Sequence, residues 1–265
     1  MKIIRVFPRR TKWTPDDPLA FIGDPPLFRP PEMPVKISVT FTWDIEEGKR
    51  LYRAWKEYYQ DVQIGGPAYG DVGNDFTPGM FVKEGVTITS RGCPNKCPWC
   101  FVPKREGKIR ELEIENGWII QDNNLRACSN YHIRKVFDML IAQNKAVTFS
   151  GGLEARRLRP WHVDILKRIK IRELWFACDS DSAMKHLEKA SELLCDFSIN
   201  KKRCYVMIGY KETLEQAESR LKKVYGLGFL PFAQLYQSAN KNNWSREWRS
   251  LNRKWSRPAI YRSAI

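Results

Sequence analysis

Short β-rich runs recur along the larger part of this chain at intervals of roughly 26–32 residues, the length of one strand, one helix and their loops. They begin near Val86 (VTITS), Trp118 (WIIQ), Ala146 (AVTFS), Glu173 (ELWFA), Cys204 (CYVMI) and Leu230 (LPFAQLY). Between them, apolar residues recur at helical spacing: Ile133, Val136, Phe137, Leu140 and Ile141; Val163, Leu166 and Ile169; Leu187, Ala190 and Leu194; Leu214, Ala217, Leu221 and Val224. Thr213 and Gln216 stand at capping-box spacing before the last of these. Six βα units in succession imply a parallel sheet. Right-handed crossovers predict that it curls into an incomplete (β/α)6 barrel of the TIM type, an α/β fold.

The barrel is expected over residues 85–240. Ahead of it, residues 1–34 are rich in proline and read as extended, surface-hugging chain after a first strand in "MKIIRVFPRRTKW". Residues 35–70 read as one βαβ unit: "VKISVTFT" alternates as a strand, Leu51, Trp55 and Tyr59 share a helical stripe, and "DVQIGGPAYG" runs from a strand into a glycine turn. Residues 71–84 read as a linker, so the segment 1–84 forms a small βαβ annex with its linker. Residues 241–265 form a basic, tryptophan-bearing tail. Trp244, Trp248, Leu251 and Trp255 fall on one helical face and Arg246, Arg249, Arg253 and Arg257 on the other, and Pro258 is expected to stop the helix. The apolar face is expected to close the open barrel.

No apolar run approaches the ~20 residues that span a bilayer, and the start is too short in apolar residues for a secretory leader. A cytoplasmic protein is therefore expected, with its seven cysteines reduced. Lysine and arginine number 45 against 30 acidic residues, a formal net charge of +15. That balance favours anionic partners, nucleic acid among them, and the arginine face of the tail is one place where phosphates would be met.

In parallel βα folds, ligands bind at the carboxyl ends of the strands. Those ends read Ser90-Arg91-Gly92, Asp122-Asn123-Asn124, Ser150-Gly151-Gly152, Asp179-Ser180-Asp181, Gly209-Tyr210, and Gln234 with Tyr236. The first leads into "RGCPNKCPWCFVP", where Cys93, Cys97 and Cys100 stand in a C-x3-C-x2-C spacing. Structural zinc wants four ligands, and Cys128 and His132 lie beyond another predicted strand. A 4Fe–4S cluster is normally held by four cysteines, so three leave one iron open to another ligand.

This motif after the first barrel strand, with a Gly-Gly turn after the third, resembles the radical S-adenosylmethionine superfamily over about residues 85–236. The resemblance implies a 4Fe–4S cluster on Cys93, Cys97 and Cys100, whose open iron chelates S-adenosylmethionine. It also implies electron supply from a reductant protein of the flavodoxin or ferredoxin type, cleavage to a 5′-deoxyadenosyl radical, and hydrogen abstraction from substrate. By position, Trp99 would meet the adenine. Ser150, Gly151 and Gly152 in "FSGGLE" would receive the methionyl amino group, with Glu154 one place beyond the family's usual acidic position. Asp179 and Ser180 would take the ribose hydroxyls. Gly209, with Glu212 in "VMIGYKET", would line the adenine and ribose wall, and Gln234 follows on the sixth strand. Residues 35–70 resemble the end of the N-terminal domain of cobalamin-dependent and methylthiotransferase-like members. The chain lacks their D-x-H-x-x-G motif and has no cysteine before Cys93, so neither cobalamin nor a second N-terminal cluster is expected.

Cys178, Cys195 and Cys204 read as core residues; Cys128, in "ACSNYH", reads as structural and solvent-facing, with a second cluster or an acceptor thiol near the mouth as the alternative. The loop-capping reading of the acidic and amide positions stands beside the cofactor reading. The competing function is a non-catalytic Fe–S or zinc protein that binds nucleic acid through its basic surface.

Overall fold

The structure is a computed structural model, described here over residues 2–71, 76–238 and 242–263. The chain divides into two compact units, Met1–Val86 with Lys104–Glu106, and Thr87–Pro103 with Gly107–Ile265. Of the linker expected over residues 71–84, residues 72–75 lie outside the described residues.

The first unit is built on four strands, β1 (Ile4–Phe7), β2 (Ala20–Ile22), β3 (Val35–Ser38) and β4 (Val62–Gly65), in the spatial order β2-β1-β3-β4. All three pairings are parallel. Helix α1 (Ile45–Lys56) makes the β3-to-β4 crossover and buries Leu51 and Trp55 against Ile4, Val6, Val35 and Ile37, with Tyr59 beyond its end. The first strand expected at the start is β1, central and buried along its whole length, whereas the expectation of extended chain over the rest of residues 1–34 is corrected by β2, which forms an edge of the sheet. The prolines fall in the connections, where a missing N–H costs no ladder bond. Those connections are tied down by side chains: the Trp55 indole N–H donates to Gly23 O at 3.0 Å, and the Tyr59 hydroxyl to Pro30 O at 2.8 Å.

The second unit carries β5 (Val86–Thr87), a small antiparallel pair β6 (Ser90–Arg91) and β7 (Arg110–Glu111), then β8 (Ile119–Ile120), β9 (Val147–Leu153), β10 (Ile171–Ala177), β11 (Lys202–Ile208) and β12 (Leu230–Leu235). The short helix α2 (Val102–Arg105) lies in the chain between β6 and β7. Strands β5 and β8 to β12 form one six-stranded parallel sheet in strictly sequential order, with β5 and β12 at its edges. Each expected β-run supplies one strand. Helices α3 (Asn130–Gln143), α4 (Pro160–Leu166), α5 (Asp181–Leu193) and α6 (Leu214–Gly226) fill the crossovers. Their apolar stripes are the core: Ile133, Val136, Phe137, Leu140, Val163, Leu166, Leu187, Ala190, Ala217, Leu221 and Val224 are all buried. The capping box at α6 forms, with Thr213 Oγ1 accepting from Gln216 N and Gln216 Oε1 accepting from Thr213 N.

The tail belongs to this second unit. Helix α7 (Arg246–Trp255) packs on β12 and α6, burying Trp255 completely and Trp248 in part. Arg246, Arg249, Arg253 and Arg257 are exposed. Two details differ from expectation. Trp244 precedes the helix, which starts after Ser245, and Pro258 opens a further short helix, α8 (Pro258–Tyr261), rather than only ending the first. Proline suits a first helical turn because the N–H it lacks would be unpaired there. Among the described residues, no helix is long and apolar enough to cross a membrane.

Candidate functional site

Asp122, at the end of β8, organises the strand ends around the cysteine loop. It is buried, and its carboxylate accepts from Thr89 N at 2.6 Å, Thr89 Oγ1 at 2.7 Å and Ser90 Oγ at 2.7 Å. Burial pushes its pKa up, against the pull of those hydrogen bonds. The next residue, Asn123, accepts from Gly92 N at 2.9 Å, so two consecutive side chains fix the backbone that enters the loop.

Within the loop, Cys93, Cys97 and Cys100 are half-buried and take part in no disulfide. Cys93 N donates to Gly107 O and Cys100 N to Cys97 O, which folds the loop back on itself. Burial raises the Cys97 thiol, and Cys100, Cys93, Asp179 and Glu154 push it the same way. The acidic groups around Cys97 thus disfavour its thiolate, which a cation bound by that sulfur would stabilise.

Asn124 joins the loop to the third strand end. It is buried, and its Nδ2 donates to Cys93 Sγ at 3.4 Å and to Glu154 Oε2 at 2.8 Å. Glu154 also accepts from Arg157 Nε at 2.8 Å and Arg156 Nε at 2.9 Å, and Arg156 reaches Asn95 of the cysteine loop at 2.9 Å. Burial opposes the charge on Glu154, but Asn124, Asn95, Arg156 and Arg157 outweigh it and hold its pKa below the usual carboxylate value. Sequence reasoning named Asn124 only as part of a polar strand end. Its place two residues after an Asp at a strand terminus was the available signal.

The Gly-Gly turn is a bulge in β9. Phe149 pairs with Leu174 and Leu153 with Phe176, so two extra residues are accommodated between the pairs. Gly151 approaches the Asp122 backbone so closely that a Cβ would overlap the carbonyl group. Ser150 Oγ donates to Ile120 O at 3.1 Å, and Ser150 O accepts from the Tyr205 hydroxyl at 3.4 Å. Gly152 adopts φ +93° within the same bulge.

The other expected residues are engaged by the protein. Asp179 accepts from Met207 N at 2.8 Å, and burial raises its pKa. Ser180 is the N-cap of α5, accepting from Ala183 N at 3.3 Å. Glu212 accepts from Gly209 N at 2.9 Å and pairs with Arg220 at 2.7 Å, which braces the turn after β11. These contacts are what loop capping requires. Gly209 lies under the Trp244 indole, where any side chain would overlap the ring. Trp244 Nε1 in turn donates to Tyr236 O at 3.0 Å. Gln234 is exposed on β12.

Trp99 of the cysteine loop packs edge-on to Tyr210 (5.5 Å between centroids), and Tyr210 packs edge-on to Tyr236 (4.9 Å). An aromatic row therefore runs from the loop across the ends of β11 and β12. From sequence, Tyr210 was only part of a strand end and Trp244 only part of the apolar tail face; the contacts of Tyr210 with Trp99 and of Trp244 with Gly209 join segments far apart in the chain.

Cys178 and Cys204 are buried, as expected. Cys195 is not core but exposed: it follows the buried Leu194 past the end of α5, one position off the apolar stripe. Cys128 is half-buried beside Ser90, and burial pushes its thiol up to about 12, so it stays protonated. Among the described residues, no three His, Cys, Asp or Glu side chains stand close enough to hold one metal ion. A cluster takes one thiolate per iron, so its ligands stand farther apart than those of a single ion. The donor set of three thiols on one pinned loop fits a cluster with one open iron better than a tetrahedral zinc site, which needs a fourth ligand.

Comparison with protein-family models and with curated proteins finds no match.

Proposed function

We propose that the protein is a radical S-adenosylmethionine enzyme, whose second unit is an incomplete (β/α)6 barrel. The observation that carries this reading is the three-thiol loop at the strand ends, hydrogen-bonded through Asn124 to Glu154 and adjoining the Gly-Gly bulge of β9. A 4Fe–4S cluster held by Cys93, Cys97 and Cys100 would supply the electron that cleaves S-adenosylmethionine to methionine and a 5′-deoxyadenosyl radical.

The chain's own residues prepare the site. Asp122 and Asn123 fix the loop entrance, and Asn124 orients Cys93. Gly151 lets the β9 backbone pass close to Asp122. Trp99 and Tyr210 offer an aromatic wall of the kind an adenine ring packs on. Asp179, Ser180, Gly209 and Gln234 stand at the strand ends where the cofactor's ribose and base would pass, although Ser180 caps α5 and Gly209 is covered by Trp244. The net charge of +15 favours an anionic substrate, with nucleic acid first among the classes. A small acidic electron-transfer protein of the flavodoxin or ferredoxin type would complement the same charge.

The test is direct. Protein reconstituted anaerobically with iron and sulfide, then given reductant and S-adenosylmethionine, should release 5′-deoxyadenosine. Asn124→Ala should lower that rate while iron content changes less. Release of no 5′-deoxyadenosine by a fully loaded protein would refute the enzymatic reading.

A further inference from the structure

Arg126 follows Asn124 in the turn Leu125–Ala127 and is only 4% exposed. None of its three guanidinium nitrogens has a hydrogen-bond partner among the described residues. His162 on α4, 3% exposed, presents a second unmet group. Its Nδ1 accepts from Arg159 N at 3.0 Å, which places the ring proton on Nε2, and Nε2 is likewise unpartnered. Burial, followed by the charges of Arg126, Arg159 and Arg134, pushes the His162 pKa down to about 3, so the imidazole is neutral.

Both unmet groups are therefore donors. Glu154 is the carboxylate that acts on Arg126, and it is already engaged by Asn124, Arg156 and Arg157. One carboxylate thus faces Arg126, Arg156 and Arg157, with the charge of Arg159 also acting on Arg126. Burying a guanidinium with no acceptor is among the costliest arrangements a fold can hold, and it marks a place for a missing partner.

We propose that Arg126 and the Nε2–H of His162 form an internal receptor for an oxyanion group, a carboxylate or a phosphate. The planar fork of a guanidinium matches the paired oxygens of such a group, whereas a spherical halide engages only part of it. Glu154 leaves the receptor with a surplus of positive charge, and the surplus sets the sign of the ligand. The inference stands on Arg126 and His162 and does not depend on the cluster reading.

The experiment is equilibrium unfolding of the full chain at constant ionic strength, with sodium chloride replaced stepwise by sodium phosphate or by sodium acetate. The wild-type protein should gain stability along a saturating curve, with the unfolding constant reduced about eleven-fold at ten times the dissociation constant. A response to phosphate alone assigns a phosphate receptor, and a response to acetate alone assigns a carboxylate receptor. Arg126→Met should abolish the dependence and, in chloride, be at least as stable as wild type. Arg126→Lys keeps the charge but loses the fork, so its apparent affinity should fall at least ten-fold, a measurement that stands even where the methionine variant does not fold. A wild-type protein indifferent to both anions, or a lysine variant with undiminished affinity, would overturn the proposal.

Discussion

Replacing Asp122 by alanine should detach the cysteine loop from the sheet. Asp122, Thr89 and Ser90 are each no more than 1% exposed, and one carboxylate accepts all three hydrogen bonds. Removing it orphans a backbone N–H that cannot turn away and two hydroxyls that can rotate toward other acceptors. An unsatisfied buried N–H costs about 1–3 kcal/mol and each lost hydroxyl bond about 1 kcal/mol, so Asp122→Ala should cost about 3–5 kcal/mol. Asp122→Asn keeps an acceptor for Thr89 N and offers an amide to the hydroxyls, so its cost should stay near 1–2 kcal/mol. Burial holds the Asp122 pKa above its ordinary 3.8. Its contribution is therefore complete below about pH 3.8 and is lost as pH rises through the raised value. The gap between wild type and Asp122→Asn should accordingly narrow from acid to neutral pH. Urea unfolding of both variants across pH, with alkylation rates of Cys93, Cys97 and Cys100 as the loop readout, measures all of this. A loss under about 1 kcal/mol for alanine, or equal losses for the two variants, would refute the account.

Alanine at Cys93, Cys97 or Cys100 should remove the iron and sulfide of the reconstituted protein, whereas alanine at Cys128, Cys178 or Cys204 should leave them, as metal analysis would register. Trp255→Ala should destabilise by about 3–5 kcal/mol because the ring is fully buried, and Trp248→Ala by less, in denaturant titrations. The His162 pKa falls from 6.5 to about 3 on folding, mainly through burial. Its contribution is present above pH 6.5 and is lost as pH falls, at up to about 1.4 kcal/mol per pH unit, and His162→Phe should flatten that part of the stability profile. Reversing two of Arg246, Arg249, Arg253 and Arg257 to glutamate should leave the fold intact and lower the salt slope of RNA or DNA binding by about two, and an unchanged slope would remove the tail from nucleic-acid recognition.

Much of the second unit was legible because its physics is local. The runs ELWFA and CYVMI bury alternate residues in β10 and β11, and α6 carries its capping box and its Ala217, Leu221, Val224 stripe within a few turns. In the first unit β2 escaped notice, since Ala20–Ile22 is short, half-exposed and recognisable only through its pairing with β1. Cys195 was misread by one position: the stripe ends at Leu194, and a further step of about 100° turns the next side chain to solvent. At the site, the cysteine spacing and the Gly-Gly pair stood out because the motif is contiguous. The contacts of Asn124 with Cys93 and Glu154, of Tyr210 with Trp99 and Tyr236, and of Trp244 with Gly209 span 26 to 111 residues, and no window of sequence brings those together.

The sequential strand order of the large sheet bears on how the chain reaches its fold. Every strand from β9 onward pairs with the sheet strand just before it, so during synthesis each arrives beside a partner already available. Growth of this kind is open-ended until something stops it, and the last strand, β12, leaves an unpaired row of backbone groups behind. Helix α7 packs on that strand and leaves the ribosome only after it. A chain cut before residue 246 would therefore present a finished sheet with a bare edge, and its fate would be decided by the race between that edge finding another copy and the cell's chaperones covering it.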